Sequence, residues 1–278
     1  MRKDLAAWLT DVDTSKRILE IGPLCGPVFS KDEADVYYAD VRSTKQLRQL
    51  HADNPALDPA SILDVDVVVK TTYAEAFKNM DKFEYVVLSH VLEHIPRLIA
   101  FFLDIVNVLS RNGKLYIFLP DHRYCLDHFR SPTSFAEAYY THVNDLPYPP
   151  WRVLDCHLES TTASSPELFW SGCVVNAPLL ASRRPFAFAG EKMREAEEKG
   201  HVSLHYSVFT QKSFLLLLYN MVNARLLPFR CISFFPTKPN DFTFGAVLAA
   251  CPALPGDDLL TKRELLRIAT MIDNPSVF

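Results

Sequence analysis

Acids, histidines and glycines recur in this sequence where apolar runs end. Glu20-Ile21-Gly22-Pro23-Leu24-Cys25-Gly26-Pro27 sets an acid ahead of a glycine-containing turn. Glycine lets a backbone approach a ligand closely. Asp40 closes a second run, and a carboxylate there can accept hydrogen bonds from two ribose hydroxyls. Asp64 and Asp66 fall in a third run, and Ser89-His90-Val91-Leu92-Glu93-His94 follows a fourth. A dinucleotide site needs G-x-G-x-x-G, and only Gly22 fits that pattern, so NAD or FAD is poorly supported. Glu20 would repel a pyrophosphate but suits a cationic ligand such as a sulfonium or an amine.

These residues need a scaffold that brings strand ends together. Arg17–Ile21, Val36–Asp40, Ile62–Val69, Phe83–Leu88 and Lys114–Leu119 read as five buried strands. Thr44–His51, Tyr73–Met80 and Leu98–Leu109 read as helices between them, the last stopped by Arg111-Asn112-Gly113. Alternation of this kind predicts βαβ units and a doubly wound α/β core with a parallel sheet. In such a sheet, ligands bind at the carboxyl ends of the strands. Residues 121–206 break the rhythm with aromatics, Pro, Ser, Thr and His, and read as an insertion. The pattern resumes with a helix over Thr210–Leu226, capped by Thr210, and strands at Phe229–Phe235 and Phe242–Ala250. A terminal helix spans Leu259–Ile272.

Composition removes several classes of function. The 278 residues are 49% hydrophobic and 22% charged, enough for a large core without disulfides. A net charge of −4 gives no basic field, so nucleic acid is not the expected partner. The six cysteines form no C-x-x-C pair, which argues against a zinc ribbon and fits a reducing, cytoplasmic setting. The sequence shows neither a signal peptide nor an apolar run near the ~20 residues that span a bilayer.

Leu19-Glu20-Ile21-Gly22, Asp40, Ser89-His90-Val91-Leu92-Glu93-His94 and Leu109-Ser110-Arg111-Asn112-Gly113 together resemble a class I S-adenosylmethionine-dependent methyltransferase. The resemblance covers about residues 5–119 and 207–250, and the closing hairpin is similar to that family's sixth and seventh strands. It implies a Rossmann-like, seven-stranded, mostly parallel sheet with an antiparallel last strand. Residues 1–120 and 207–278 would form the core, and 121–206 a substrate-binding lid between strands five and six. S-adenosylmethionine is the implied cofactor. Glu20 would lie under its methionine end, with Gly22, Pro23 and Gly26 lining the loop. Asp40 would hold the ribose, Asp66 (less so Asp64) would lie near the adenine, and Ser89 and His90 beside the methyl group. The family's middle glycine is Leu24 here. The L-E-I-G-P turn and a P-D-x-R-Y stretch also suggest bacterial saccharide tailoring.

The acceptor side is expected in Pro120-Asp121-His122-Arg123-Tyr124-Cys125-Leu126-Asp127-His128-Phe129-Arg130. His122 or His128 can take a hydroxyl proton, with Asp121 or Asp127 fixing the tautomer. Arg123 and Arg130 suit an anionic substrate group, and Tyr124 stands beside them. His142, His157, Glu159, His201 and His205 add polar candidates, with His157 and His201 assigned to substrate. His122, Asp127, His128 and His157 match no recognised metal spacing, so no metal is expected. His94 reads as a capping or packing residue. The expected reaction is methyl transfer to a hydroxyl of a small molecule or glycan. The alternatives are transfer to an amine, a non-catalytic cofactor-binding module and a nicotinamide oxidoreductase. The apolar helix Thr210–Leu226 is open to a core or a homodimer role.

Overall fold

The computed structural model describes residues 5–162, 165–171, 184–199 and 202–274. Seven strands form one sheet: β1 Ile18–Ile21, β2 Val36–Asp40, β3 Val67–Val68, β4 Phe83–Ser89, β5 Leu109–Pro120, β6 Phe229–Phe235 and β7 Thr243–Ala250. Their order is β3-β2-β1-β4-β5-β7-β6. β1 to β5 pair in parallel, while β7 runs antiparallel between β5 and β6. This is the Rossmann-like α/β arrangement expected from the sequence. The order reverses at β1, so the crevice opens between the ends of β1 and β4.

One sheet face is packed by helices. α1 spans Thr44–Leu50, α2 Tyr73–Ala76 and α3 Leu98–Ile105. The insertion carries α4 Phe135–Val143, α5 Pro150–Glu159, α6 Pro166–Trp170 and α7 Phe186–Lys199, before α8 Gln211–Asn223 and α9 Asp258–Asp273. Leu98, Phe101, Phe102 and Ile105 of α3 share the main core with Phe214, Leu218 and Met221 of α8 and Ile268 and Met271 of α9. Thr210 caps α8 as expected, its side chain accepting from the Ser213 amide. No helix among the described residues is long and apolar enough to cross a membrane. Each strand expectation holds in kind but not always in extent. The third strand shrinks to two residues, and the fifth begins five residues earlier, at Leu109.

The other face is built differently. No α-helix connects β1 to β2. A loop crosses instead, and Val28 and Phe29 bury themselves against Ile18, Val36 and Tyr38. Glu20 explains how a loop can do a helix's work. Its carboxylate accepts from the Val28 amide at 2.7 Å and the Phe29 amide at 3.1 Å, and the residue is 1% exposed. Tyr38 donates to the Phe29 carbonyl at 2.7 Å, closing the same loop. The rest of this face is sealed by the N-terminal segment, where Trp8 stacks between Phe118 and Phe235 at 5.6 and 5.3 Å. Replacing Glu20 with Ala strands two buried amides. The expected loss is roughly 3 kcal/mol in chemical denaturation, and a change under 1 kcal/mol would contradict the role given to this carboxylate.

Candidate active site

A cleft of ≈ 560 Å³ lies over the strand ends at the switch point. Gly22 and Leu24 after β1, Asp40 at the end of β2, Thr71 to Tyr73 after β3, and His90 and His94 after β4 all line it. The turn after β1 is unusual. Gly22 has φ +64° and Leu24 φ +48°, so the place of the family's middle glycine is a leucine in left-handed backbone. A Cβ on Gly22 would meet Val91 Cγ2 at 2.9 Å, so the loop passes this close only as glycine. Gly26 has open space beside it and nothing there demands glycine. Gly26 and Pro23 flank the lining without entering it.

Asp40 faces the cleft, takes the Arg42 amide on Oδ1 at 2.8 Å, and is pushed above the usual carboxylate range by burial. Val41, Leu47 and Leu50 stand beside it and supply an apolar wall. Asp66 does not join them. It precedes β3, accepts from the Tyr38 amide at 2.8 Å and pairs with Lys31 at 2.6 Å, well back from the strand ends. The reason is the short β3, which pairs Ala39 and Asp40 with Val67 and Val68 and leaves Asp66 opposite the middle of β2. The positions that reach the cleft there are Thr71, Thr72 and Tyr73, which the sequence reading missed. Glu20 lies beneath the loop on the Val28 and Phe29 amides rather than in the lining. Ser89 ends β4 opposite Phe118, also outside the lining.

His90 carries φ +56°, an uncommon conformation for a non-glycine residue. Its ring tilts against Phe242 at 5.3 Å, its Nε2 lies 3.3 Å from Thr243 Oγ1, and its Nδ1 lies 3.8 Å from Glu93 Oε1. Glu93 is 1% exposed, and burial raises its carboxyl to about 7. Its Oε2 has no hydrogen-bond partner among the described residues. His94 gives Nδ1 to the Leu204 carbonyl at 3.1 Å, and burial lowers it to about 4, so the ring is neutral. It is both a packing residue and part of the cleft wall. His205 meets it edge to face at 4.6 Å.

Behind His205 stands Asp127, 2.6 Å from its Nδ1 and 2.9 Å from Arg130 Nη1. Burial alone would raise the Asp127 carboxyl, but His205 and then Arg130 outweigh that and hold it at about 2. Burial likewise opposes charge on His205, and Asp127 reverses the sign and raises it. Arg130, 1% exposed, also reaches Asp155 at 2.9 Å and the His205 carbonyl at 2.8 Å.

The stretch after β5 therefore turns inward rather than into the cleft. Asp121 is fully buried and holds Arg123 through two contacts, at 2.9 and 2.6 Å, as well as Thr237. His122 is buried, its amide on the Phe209 carbonyl and its Nδ1 3.4 Å from the Asp127 carbonyl. His128 contacts the Arg123 carbonyl at 2.7 Å and stacks on Phe169. Tyr124 stacks on Trp170 at 4.1 Å, with Arg123 over its ring. His157 packs on Phe188, Arg130 is taken up by ion pairs, and His201 lies outside the described residues. Among the described residues, none of these lines the cleft. The structure brings together Asp127, Glu93, His94 and His205; each was named in the sequence, but only Glu93 and His94 as neighbours, and nothing there joined them to Asp127 and His205.

Comparison with known proteins follows this geometry. Residues 1–153, more than half of the chain, match the family described as "Methyltransferase domain". The chain belongs to that family. It is a class I S-adenosylmethionine-dependent methyltransferase, and S-adenosylmethionine is its cofactor. No curated protein sequence matches it. Among solved structures it is similar to the CurJ carbon methyltransferase at 11% identity, with 87% of this chain and 51% of that one covered and a TM-score of 0.39. A protein from Rhodobacter sphaeroides assigned as a zinc-dependent alcohol dehydrogenase gives 11%, 90%, 90% and 0.46 in the same order. A protein from Listeria monocytogenes assigned as an S-adenosylmethionine-dependent methyltransferase gives 10%, 89%, 97% and 0.42. The chain spans about half the length of the first of these. Likeness this loose carries no argument about substrate.

The Asp127 network has a pH signature. Its carboxyl sits at about 2 against an ordinary 3.8, so its ionised form stabilises the fold above about pH 4, and that contribution fades as pH falls towards 2. Asp127→Asn should be less stable than wild type at neutral pH, and the gap should narrow as pH is lowered through this window. A gap independent of pH in thermal melts would refute the assignment.

Proposed function

We propose that this methyltransferase transfers a methyl group to a hydroxyl of a small molecule or saccharide, with the cofactor laid along the cleft from Asp40 to His90. The cofactor supplies an electrophilic methyl group. The residues fit its parts: Asp40 offers a carboxylate to the ribose, Val41, Leu47 and Leu50 offer an apolar wall to the purine, and Gly22 lets the loop close beside it. The insertion reaches the cleft through Ser203 and supports His205 behind it, which supports a lid role for residues 121–206.

The observation that carries the hydroxyl reading is the pair His90 and His94 in the cleft wall, with Glu93 beside the first and His205 packed against the second. A hydroxyl acceptor must lose a proton during transfer, whereas an amine needs only its neutral form. His90 faces the cleft beside Glu93, so an imidazolium formed on proton uptake would sit 3.8 Å from a carboxylate oxygen. His122 and His128, the bases expected from sequence, are not among the residues that line this cleft.

Calorimetry with S-adenosylmethionine and its demethylated product tests the cofactor side. Wild type should bind both, and Asp40→Ala should weaken binding by roughly 10-fold or more, as loss of charged hydrogen bonds implies. Absence of binding at millimolar concentration would end the reading. For the acceptor side, turnover with hydroxyl and amine acceptor panels is compared for wild type and His90→Gln. Loss of O-methylation with cofactor affinity kept supports His90 as the base. Amine methylation by wild type alone would overturn the hydroxyl assignment.

A further inference from the structure

Glu93, His94 and His205 each present one ligand-type atom within 4.8 Å of the other two. The three come from distant places: Glu93 and His94 from the short turn after β4, His205 from the segment that returns from the insertion. Two features separate this group from a chance meeting of polar residues. Glu93 Oε2 is buried without a hydrogen-bond partner among the described residues, a costly state for a carboxylate. Both imidazoles are oriented through Nδ1, His94 by the Leu204 carbonyl and His205 by Asp127. That leaves Nε2 of each ring as the atom able to ligate. Metal-bound histidines are held this way, with a carbonyl or carboxylate on the far nitrogen fixing ring and tautomer.

We infer that Glu93 Oε2, His94 Nε2 and His205 Nε2 bind a divalent transition-metal ion whose open position faces the cleft and takes the acceptor's oxygen. Two imidazoles and one carboxylate suit ions such as zinc, iron or manganese better than magnesium, which keeps to oxygen ligands. Three protein ligands with an open position is the arrangement of a catalytic rather than a structural site. With metal–nitrogen and metal–oxygen bonds of about 2.0–2.2 Å, a tetrahedral site sets its ligand atoms about 3.3–3.6 Å apart, so side-chain shifts of roughly 1 Å draw the three groups together on binding. The ion neutralises the Glu93 carboxylate, and Asp127 with Arg130 forms the outer support through His205. His94 lines the cleft, which gives the ion its access to the acceptor. A coordinated hydroxyl is held in place and made more acidic, and its proton passes to His90.

The acceptor role rests on the hydroxyl reading above, but the site itself is tested without turnover. The full-length protein is stripped with a chelator and dialysed against Zn2+, Mn2+ or Mg2+, and bound metal is counted by mass spectrometry of the elements. Wild type should retain about one Zn2+ per chain and melt at a higher temperature with it. Glu93→Gln and His94→Gln should lose the bound ion and the metal-dependent melting shift while still unfolding in one cooperative transition with a wild-type circular dichroism spectrum, which shows that they fold. Asp127→Asn should weaken metal affinity by roughly 10–100-fold. Co2+ in place of Zn2+ should give a visible absorption band that His94→Gln removes. No bound ion in wild type, or equal retention by the folded variants, overturns the site while leaving the cofactor reading intact. Failure to bind S-adenosylmethionine with the ion retained strikes the cofactor reading instead and supports the metal site.

Discussion

Asp127 carries a negative charge where almost no water reaches it, and the architecture around the cleft follows from matching that charge. A lone buried carboxylate would be neutralised or expelled, so the chain surrounds it with Arg130 and His205. Arg130 extends the match to Asp155, and Arg152 joins Asp155 to Glu137. One chain of ion pairs thus runs from the loop after β5 through α5 to α4. It ties the insertion to the core with directional contacts where apolar packing alone would let helices slide. It also hands His205 to the cleft side in a fixed orientation.

The fold was legible because its signals are strong. Buried parallel strands give continuous apolar runs, and β1, β2, β4, β6 and β7 stand at or within a residue of where those runs lie. The site was legible only where it depends on strand ends. Gly22, Asp40 and His90 line the cleft because each follows a strand directly. Asp66 stands back from the lining because Ile62–Val69 looks like one strand while pairing confines it to Val67–Val68. A run's apolar character does not say where hydrogen bonding begins.

The acceptor-side residues stand outside the cleft lining for a different reason. Asp121, His122 and Arg123 follow a strand end as directly as Asp40 does, yet the chain there bridges to Phe209 and folds inward. Which way a loop turns depends on partners far along the chain. The same distance hides His205, whose relation to Glu93 appears only once the insertion has closed. Glu20 shows the converse. Its position before the glycine turn suggested a ligand, but the missing crossover helix gives it an internal task.

The Trp8 stack has a consequence for how the chain is made. Its two partners are Phe118 in β5 and Phe235 in β6, so a segment ahead of β1 packs on a strand made much later. β7 must also slide between β5 and β6 before the sheet is whole. Until β6 and β7 are made, β1 to β5 have an open sheet edge at β5 and an uncovered aromatic face. Contacts this distant in sequence slow folding and prolong that exposure. The sheet is therefore complete only once β7 is free of the ribosomal tunnel, and until then the β5 edge stays open.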